Sequence, residues 1–177
     1  AHLGSHHLHF DGPLSPLRLT TDIPLAWLDG RPFVLTGPRR FALTWAAPVE
    51  EALAPMVDHF LGETLRYWQR WVKGCNIPPI FQREVIRSAL ALKLCCHEDT
   101  GAIVASLTTS LPEAPGSGRC WDYRYCWLRD AFYTLDALRL LGQFDERQAF
   151  IDYLLSVAGA SGPLDLRPLY RVDGSTQ

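Results

Sequence analysis

Ten consecutive residues, 121–130, carry most of the chemistry in this chain. They read Trp-Asp-Tyr-Arg-Tyr-Cys-Trp-Leu-Arg-Asp and pack four aromatics, two Asp and two Arg into one short stretch. A helix start of the ordinary kind does not need so many amphipathic aromatics beside paired charges, whereas sugar recognition does. An aromatic face covers the apolar C–H side of a pyranose, and Asp and Arg reach its hydroxyls through charge-assisted hydrogen bonds. The plainer alternative is structural: Trp121 and Trp127 anchor a core, and Arg124 or Arg129 pairs with Asp122 or Asp130 only to hold the loop. If a helix begins near Tyr125, Arg129 and Asp130 fall in its first two turns and face the preceding Thr-, Ser-, Pro- and Gly-rich loop, 108–118.

Positioning these residues requires a scaffold, and the chain changes its period along its length. Residues 1–47 read as β structure. Asp29-Gly30 is a hairpin signal between two apolar stretches, followed by Phe33-Val34-Leu35 and then Phe41, Leu43 and Trp45, with Gly37-Pro38 as the turn. So few strands cannot close a stable sheet alone, so they are expected to end a larger sandwich. After Pro48 the period is helical. Met56, Phe60, Trp68 and Trp71 predict a first helix with Pro55 in its first turn and Gly74 at its end. Trp68 and Trp71, at i and i+3, read as packing residues rather than a second sugar platform. A second helix follows Pro78-Pro79, with Phe81, Val85, Ala89 and Leu92 on one face. Ile86, Leu90 and Leu94 widen that surface, which predicts burial on most sides. A polar link, 97–101, leads into the apolar stretch 102–105. A third helix is expected from about Trp127 to Leu141, stopped by Gly142. A fourth starts at Asp145, with Gln148 completing a capping box and Gly159 at its end. The expected class is α+β, a β module feeding a helical bundle or barrel.

Composition limits the partners. The 177 residues are 47% hydrophobic and 11% aromatic, enough to bury a core, with a net charge of −2 and no basic stripe. Nucleic acid and anionic membrane surfaces are not expected partners, and no apolar run approaches the ~20 residues needed to span a bilayer. The start, Ala1-His2-Leu3-Gly4-Ser5, lacks a signal-peptide layout, and Met56 is the sole Met, so the N-terminus is expected to be a cut edge. Cys75, Cys95, Cys96, Cys120 and Cys126 form an odd set without CxxC spacing, which predicts buried, reduced thiols in a cytoplasmic protein. Cys95-Cys96-His97 is not a metal site, because one helix cannot aim three adjacent residues at one ion. His7 and His9 alternate on a possible strand beside His6, but no third ligand group is in sight. No metal and no cofactor is expected.

The run Thr-Thr-Ser-Leu-Pro-Glu at 108–113, followed by the 121–130 string, resembles the bacterial branch of glycoside hydrolase family 15, the glucoamylase and trehalase type. Residues 67–71 (Tyr-Trp-Gln-Arg-Trp) resemble its aromatic linker helix, and 87–90 with 100–104 its first barrel helix and following turn. Residues 170–174 (Tyr-Arg-Val-Asp-Gly) resemble a later loop. The resemblance implies the end of an N-terminal β-sandwich over 1–47, a linker helix region over 48–79, and the first helices of an (α/α)6 barrel over 80–177. It implies inverting, exo-acting hydrolysis of α-linked glucose oligosaccharides or disaccharides. It also implies that Tyr123, Trp127, Arg129 and Asp130 line the subsite for the non-reducing glucose.

Inverting hydrolysis needs a proton-donating carboxyl and a water-activating carboxylate about 6.5–9.5 Å apart. The resemblance puts both on Glu residues in loops later than this chain's last residue. Glu113, Glu146 and the two Asp match neither position, and Arg129 beside Asp130 favours the charged carboxylate, the wrong state for a proton donor. No catalytic acid or base is expected here. The competing reading is a non-catalytic carbohydrate-binding or interaction module that kept the aromatic loop. A different (α/α)-barrel enzyme is a third, which the 121–130 string argues against.

Overall fold

The computed structural model describes residues 7–11, 16–45, 47–108, 114–161 (backbone alone for 160 and 161) and 166–176. The protein is α+β, and its chain divides into two compact units, 1–67 and 68–177.

In the first unit, β1 (His7–Phe10), β2 (Leu17–Thr21) and β3 (Phe41–Trp45) form an antiparallel sheet in the order β1-β2-β3. Leu8 lies opposite Leu19, and Leu19 opposite Leu43, so one row of leucines crosses all three strands. Two expectations fail here. Residues 33–35 form no strand, and Asp29-Gly30 joins no hairpin. Pro32 and Pro38 bracket the run and remove backbone donors that a ladder would need. Before Asp29 the chain makes a 3₁₀ turn, Leu25–Trp27, and the Asp29 carboxylate accepts the Arg31 N–H at 3.0 Å to close a local turn. The return to β3 is pinned at Asp22, whose Oδ1 accepts the Arg40 N–H at 3.0 Å while its own N–H donates to the Arg40 carbonyl. Thr21, Ile23 and Leu25 are buried beside this junction.

Helix α1 (Leu53–Lys73) follows the predicted bounds, with Pro55 in its first turn, where a missing N–H costs nothing. It ends at Gly74, whose N–H donates to the Trp71 carbonyl at 3.0 Å.

The second unit adds α2 (Gln82–Leu94), β4 (Cys126–Trp127), α3 (Leu128–Leu140), α4 (Asp145–Ser161) and β5 (Leu169–Tyr170). Its core is Ala102, Ile103, Cys126, Ala131, Phe150, Tyr153, Val157 and Tyr170. α3 packs against both α2 and α4. α2 is not buried on most sides: only Ala89 is fully covered, Val85, Ile86, Leu90 and Leu92 are half-buried, and Leu94 is exposed. Among the described residues α3 covers one face of α2, and the wider apolar surface remains open. α4 runs two residues past Gly159. Its expected capping box is absent, because the Gln148 amide reaches forward to Asp152 at 3.0 Å instead of back to Asp145. The turn 97–101 closes on Gly101 at φ +79°, after which residues 102–104 fold back along the end of α2, with Cys96 bridged to Ile103. All five cysteines are free thiols, but only Cys126 is buried and Cys120 is exposed, which corrects the expectation of uniformly buried thiols. Burial pushes the Cys96 thiol up to about 12. Among the described residues no helix is long and apolar enough to cross a membrane.

Candidate functional site

The 121–130 string folds as a turn, a two-residue strand and the first turn of α3. The helix begins at Leu128, one residue from the expected start at Trp127 and not as early as Tyr125, because residues 126–127 are taken up by pairing. Cys126 lies opposite Tyr170 and Trp127 opposite Leu169, and the Leu128 N–H donates to the Pro168 carbonyl at 3.1 Å. On its other side the segment is tied to 105–106: the Ser106 N–H donates to the Tyr123 carbonyl at 2.8 Å and the Ala105 N–H to the Tyr125 carbonyl at 3.1 Å. Behind it, the Tyr153 hydroxyl donates to the Arg171 carbonyl at 2.8 Å, and burial pushes that phenol well above its ordinary range. The wall is therefore built from three stretches of chain, each accounting for backbone groups of the others.

The four predicted sugar-binding residues fall into two pairs. Tyr123 and Trp127 are both half-buried, and the Trp127 indole Nε1–H donates to the Asp122 carbonyl at 3.0 Å. Arg129 and Asp130 sit in the first turn of α3, joined by a single contact of 3.3 Å. The Arg129 side chain is 73% exposed and that of Asp130 33%, so neither is locked in a buried ion pair. Trp121 is exposed and anchors no core.

Asp122 has a larger part than its sequence position suggests. Its Oδ1 accepts the Arg124 backbone N–H at 2.9 Å and the Arg124 Nε–H at 3.1 Å, while its Oδ2 accepts from Nη2 at 2.8 Å. The Arg124 guanidinium holds the Asp122 carboxyl below the usual carboxylate range, and Asp122 in turn raises Arg124. This pair borders a groove of about 280 Å³ with Tyr125, Arg171, Val172 and Asp173. Asp173 is likewise occupied, accepting from the Ser175 N–H at 2.9 Å and hydroxyl at 2.7 Å, which lowers its carboxyl as well. The pairing of Asp122 with Arg124 matches the loop-holding alternative for those two residues. The signal was present in the sequence as Asp-x-Arg, the two-residue spacing of an Asx turn.

Other candidate residues lie elsewhere. Glu113 and His6 fall outside the described residues. His7 and His9 do alternate on β1, and His9 Nε2 lies 3.3 Å from Asp11. Glu146 is buried against Trp71 and Lys93, a placement that suits a structural carboxylate rather than one facing substrate.

Residues 79–177, more than half of the chain, match the family described as Glycosyl hydrolases family 15. Among curated proteins, the chain is 40% identical over 115 residues to a trehalase of Thermoplasma acidophilum, covering 65% of this chain and 19% of that protein. It is 37% identical over 153 residues to a trehalase of Mycobacterium tuberculosis, covering 82% of this chain and 22% of that protein. It is 32% identical over 111 residues to trehalase 2 of Sulfolobus acidocaldarius, covering 63% and 19% respectively. No solved structure matches the chain. The chain thus spans about a fifth of the length of the curated relatives it matches. On the strength of the family match over its second unit, the chain belongs to the glycosyl hydrolases of family 15.

Proposed function

We propose that this chain supplies the wall of a non-reducing-glucose subsite in an inverting, exo-acting α-glucosidase, with a trehalose-type disaccharide as substrate. The observation that carries the reading is the start of α3. Trp127 presents a seated, half-buried indole, and two and three residues later stand an exposed Arg129 and a half-buried Asp130, with only a 3.3 Å contact between them. An aromatic platform beside a cation and an anion with free hydrogen-bonding capacity suits a pyranose and its hydroxyls. Relatives named trehalase favour an α,α-linked diglucoside over longer α-glucans.

In this reading residues 80–177 form the first part of an (α/α)6 barrel, 48–79 the linker region and 1–47 the end of a β-sandwich. The exposed faces of Phe41, Leu43 and Trp45 on β3 support a further layer against the sheet. The five free thiols suit a reducing, cytoplasmic setting. No acid or base is assigned within the chain, and a 177-residue chain limited to this wall hydrolyses no sugar by itself. The test is activity of the enzyme, as it is made in the cell, on trehalose, maltose and isomaltose, with the product anomer followed by NMR. Inversion with trehalose preferred supports the reading; sugar binding without hydrolysis would favour a non-catalytic module.

A further inference from the structure

We propose that Asp122 and Arg124 are positioning residues that hold the Trp127 indole in its sugar-facing orientation, and that neither is itself a sugar ligand. The inference rests on the subsite reading above and adds residues to it.

The Asp122 carboxylate accepts three N–H groups from one residue: the backbone and Nε–H of Arg124 on Oδ1, and Nη2–H on Oδ2. Both carboxylate oxygens of Asp122 are engaged by Arg124, through its Nε–H and one Nη2–H, so the pair is fixed on itself before any ligand arrives. What the pair fixes is the peptide plane of Asp122. Its carbonyl accepts the Trp127 Nε1–H at 3.0 Å. A tryptophan has two side-chain torsions, and they are restrained here from both ends. The backbone of Trp127 is held in β4 against Leu169, and the pyrrole N–H of its ring is held by the Asp122 carbonyl. The carbonyls of Tyr123 and Tyr125, within the same turn, are anchored to Ser106 and Ala105, so the turn cannot rotate as a free loop. Loss of the Asp122–Arg124 fork frees that peptide plane, and with it the direction of the indole face. A stacking platform displaced by about 1 Å forfeits much of its effect on a reacting sugar.

The experiment is a mutant cycle on trehalose hydrolysis by the enzyme as made in the cell, with melting temperature measured alongside. Asp122→Asn keeps an Oδ1 acceptor for the Arg124 N–H, and Asp122→Ala keeps none. We expect D122A to lower kcat/KM by about tenfold, and D122N by no more than about twofold. The double variant D122A/W127F should be no worse than W127F alone, because Asp122 acts through that ring. If D122A does not fold, Arg124→Gln takes its place in the same cycle. Multiplicative losses in the double variant, or D122N as damaging as D122A, would overturn the positioning role. Failure of the subsite reading is distinguishable: it would appear as a W127F enzyme with unchanged kcat/KM. An impaired W127F beside an unchanged D122A would remove only the positioning role.

Discussion

Trp71 and Glu146 stand 75 residues apart in sequence, and the indole Nε1–H of the first donates to Oε1 of the second at 2.9 Å. Lys93 reaches the same oxygen at 3.2 Å and Glu98 at 3.1 Å, so one carboxylate ties α1, α2 and α4 together. The Glu146 and Lys93 side chains are 7% and 10% exposed, and Glu146 Oε2 is buried with no hydrogen-bond partner among the described residues.

Removing one partner from this triad should cost more than its net contribution. Glu146→Gln is expected to destabilise the second unit by about 1–3 kcal/mol, since Lys93 keeps Glu98. Lys93→Met leaves a buried carboxylate with the indole alone and should cost about 3–5 kcal/mol. Urea denaturation of both variants checks the ranking, and a milder effect from Lys93→Met would contradict it.

The same carboxylate makes stability depend on acid. Burial works against ionisation of Glu146, but the hydrogen bonds from Trp71 and Lys93 outweigh it and hold the folded carboxyl below its ordinary value of 4.5. Its contribution is fully present above that ordinary value and is lost as pH falls through the lower folded value. Melting temperature followed from pH 7 downward should fall in that window, and Glu146→Gln should flatten that part of the curve.

At the start of α3, Asp130→Asn and Arg129→Lys should reduce catalytic efficiency far more than stability. Each charge-assisted hydrogen bond to a sugar hydroxyl is worth about 1.5–3 kcal/mol, or roughly 10- to 150-fold in kcat/KM. Lys cannot reproduce the planar fork of Arg, and Asn turns one acceptor of Asp130 into a donor. A large fall in melting temperature with near-normal efficiency would take both residues out of the sugar site.

Gly101→Ala should be severe. At φ +79° an added Cβ would lie 2.1 Å from the Ala149 carbonyl oxygen, a backbone atom of α4 that cannot swing aside. A loss of more than about 3 kcal/mol is expected, because strain and overpacking coincide. A variant with an unchanged denaturation midpoint would show that α4 can shift away from the turn.

Phe132, Tyr133, Leu140, Phe144 and Leu155 are all exposed in the second unit. The 177-residue chain should therefore self-associate at micromolar concentration. Sedimentation velocity reads this directly, and a monodisperse monomer would count against it.

Helix positions were legible because apolar spacing and breakers agreed: α1 stops before Gly74, and α3 stops before Gly142, whose φ is +79°. The β region was less legible. Val34 and its neighbours have strand-like side chains, but the flanking prolines decide the backbone, and apolar pattern alone does not register lost donors. The capping box at α4 failed for a local reason, since Gln148 had a carboxylate one turn ahead as an alternative partner. In the candidate site, residue types pointed to sugar chemistry. The division of labour between Asp122, engaged by Arg124, and Asp130, left open, depends on turn geometry that composition does not carry. The Trp71–Glu146 contact could not be read at all, because nothing in sequence links positions so far apart.

The pairing of β4 with β5 also sets a schedule. Trp127 cannot occupy its place in the wall until Leu169, about forty residues later, has been made and has returned to meet it. During synthesis the aromatic segment leaves the ribosome well before its partner strand, exposed meanwhile and available to chaperones. A stall or cleavage between the two would yield a chain that has every residue of the 121–130 string, yet lacks the strand that Cys126 and Trp127 pair with.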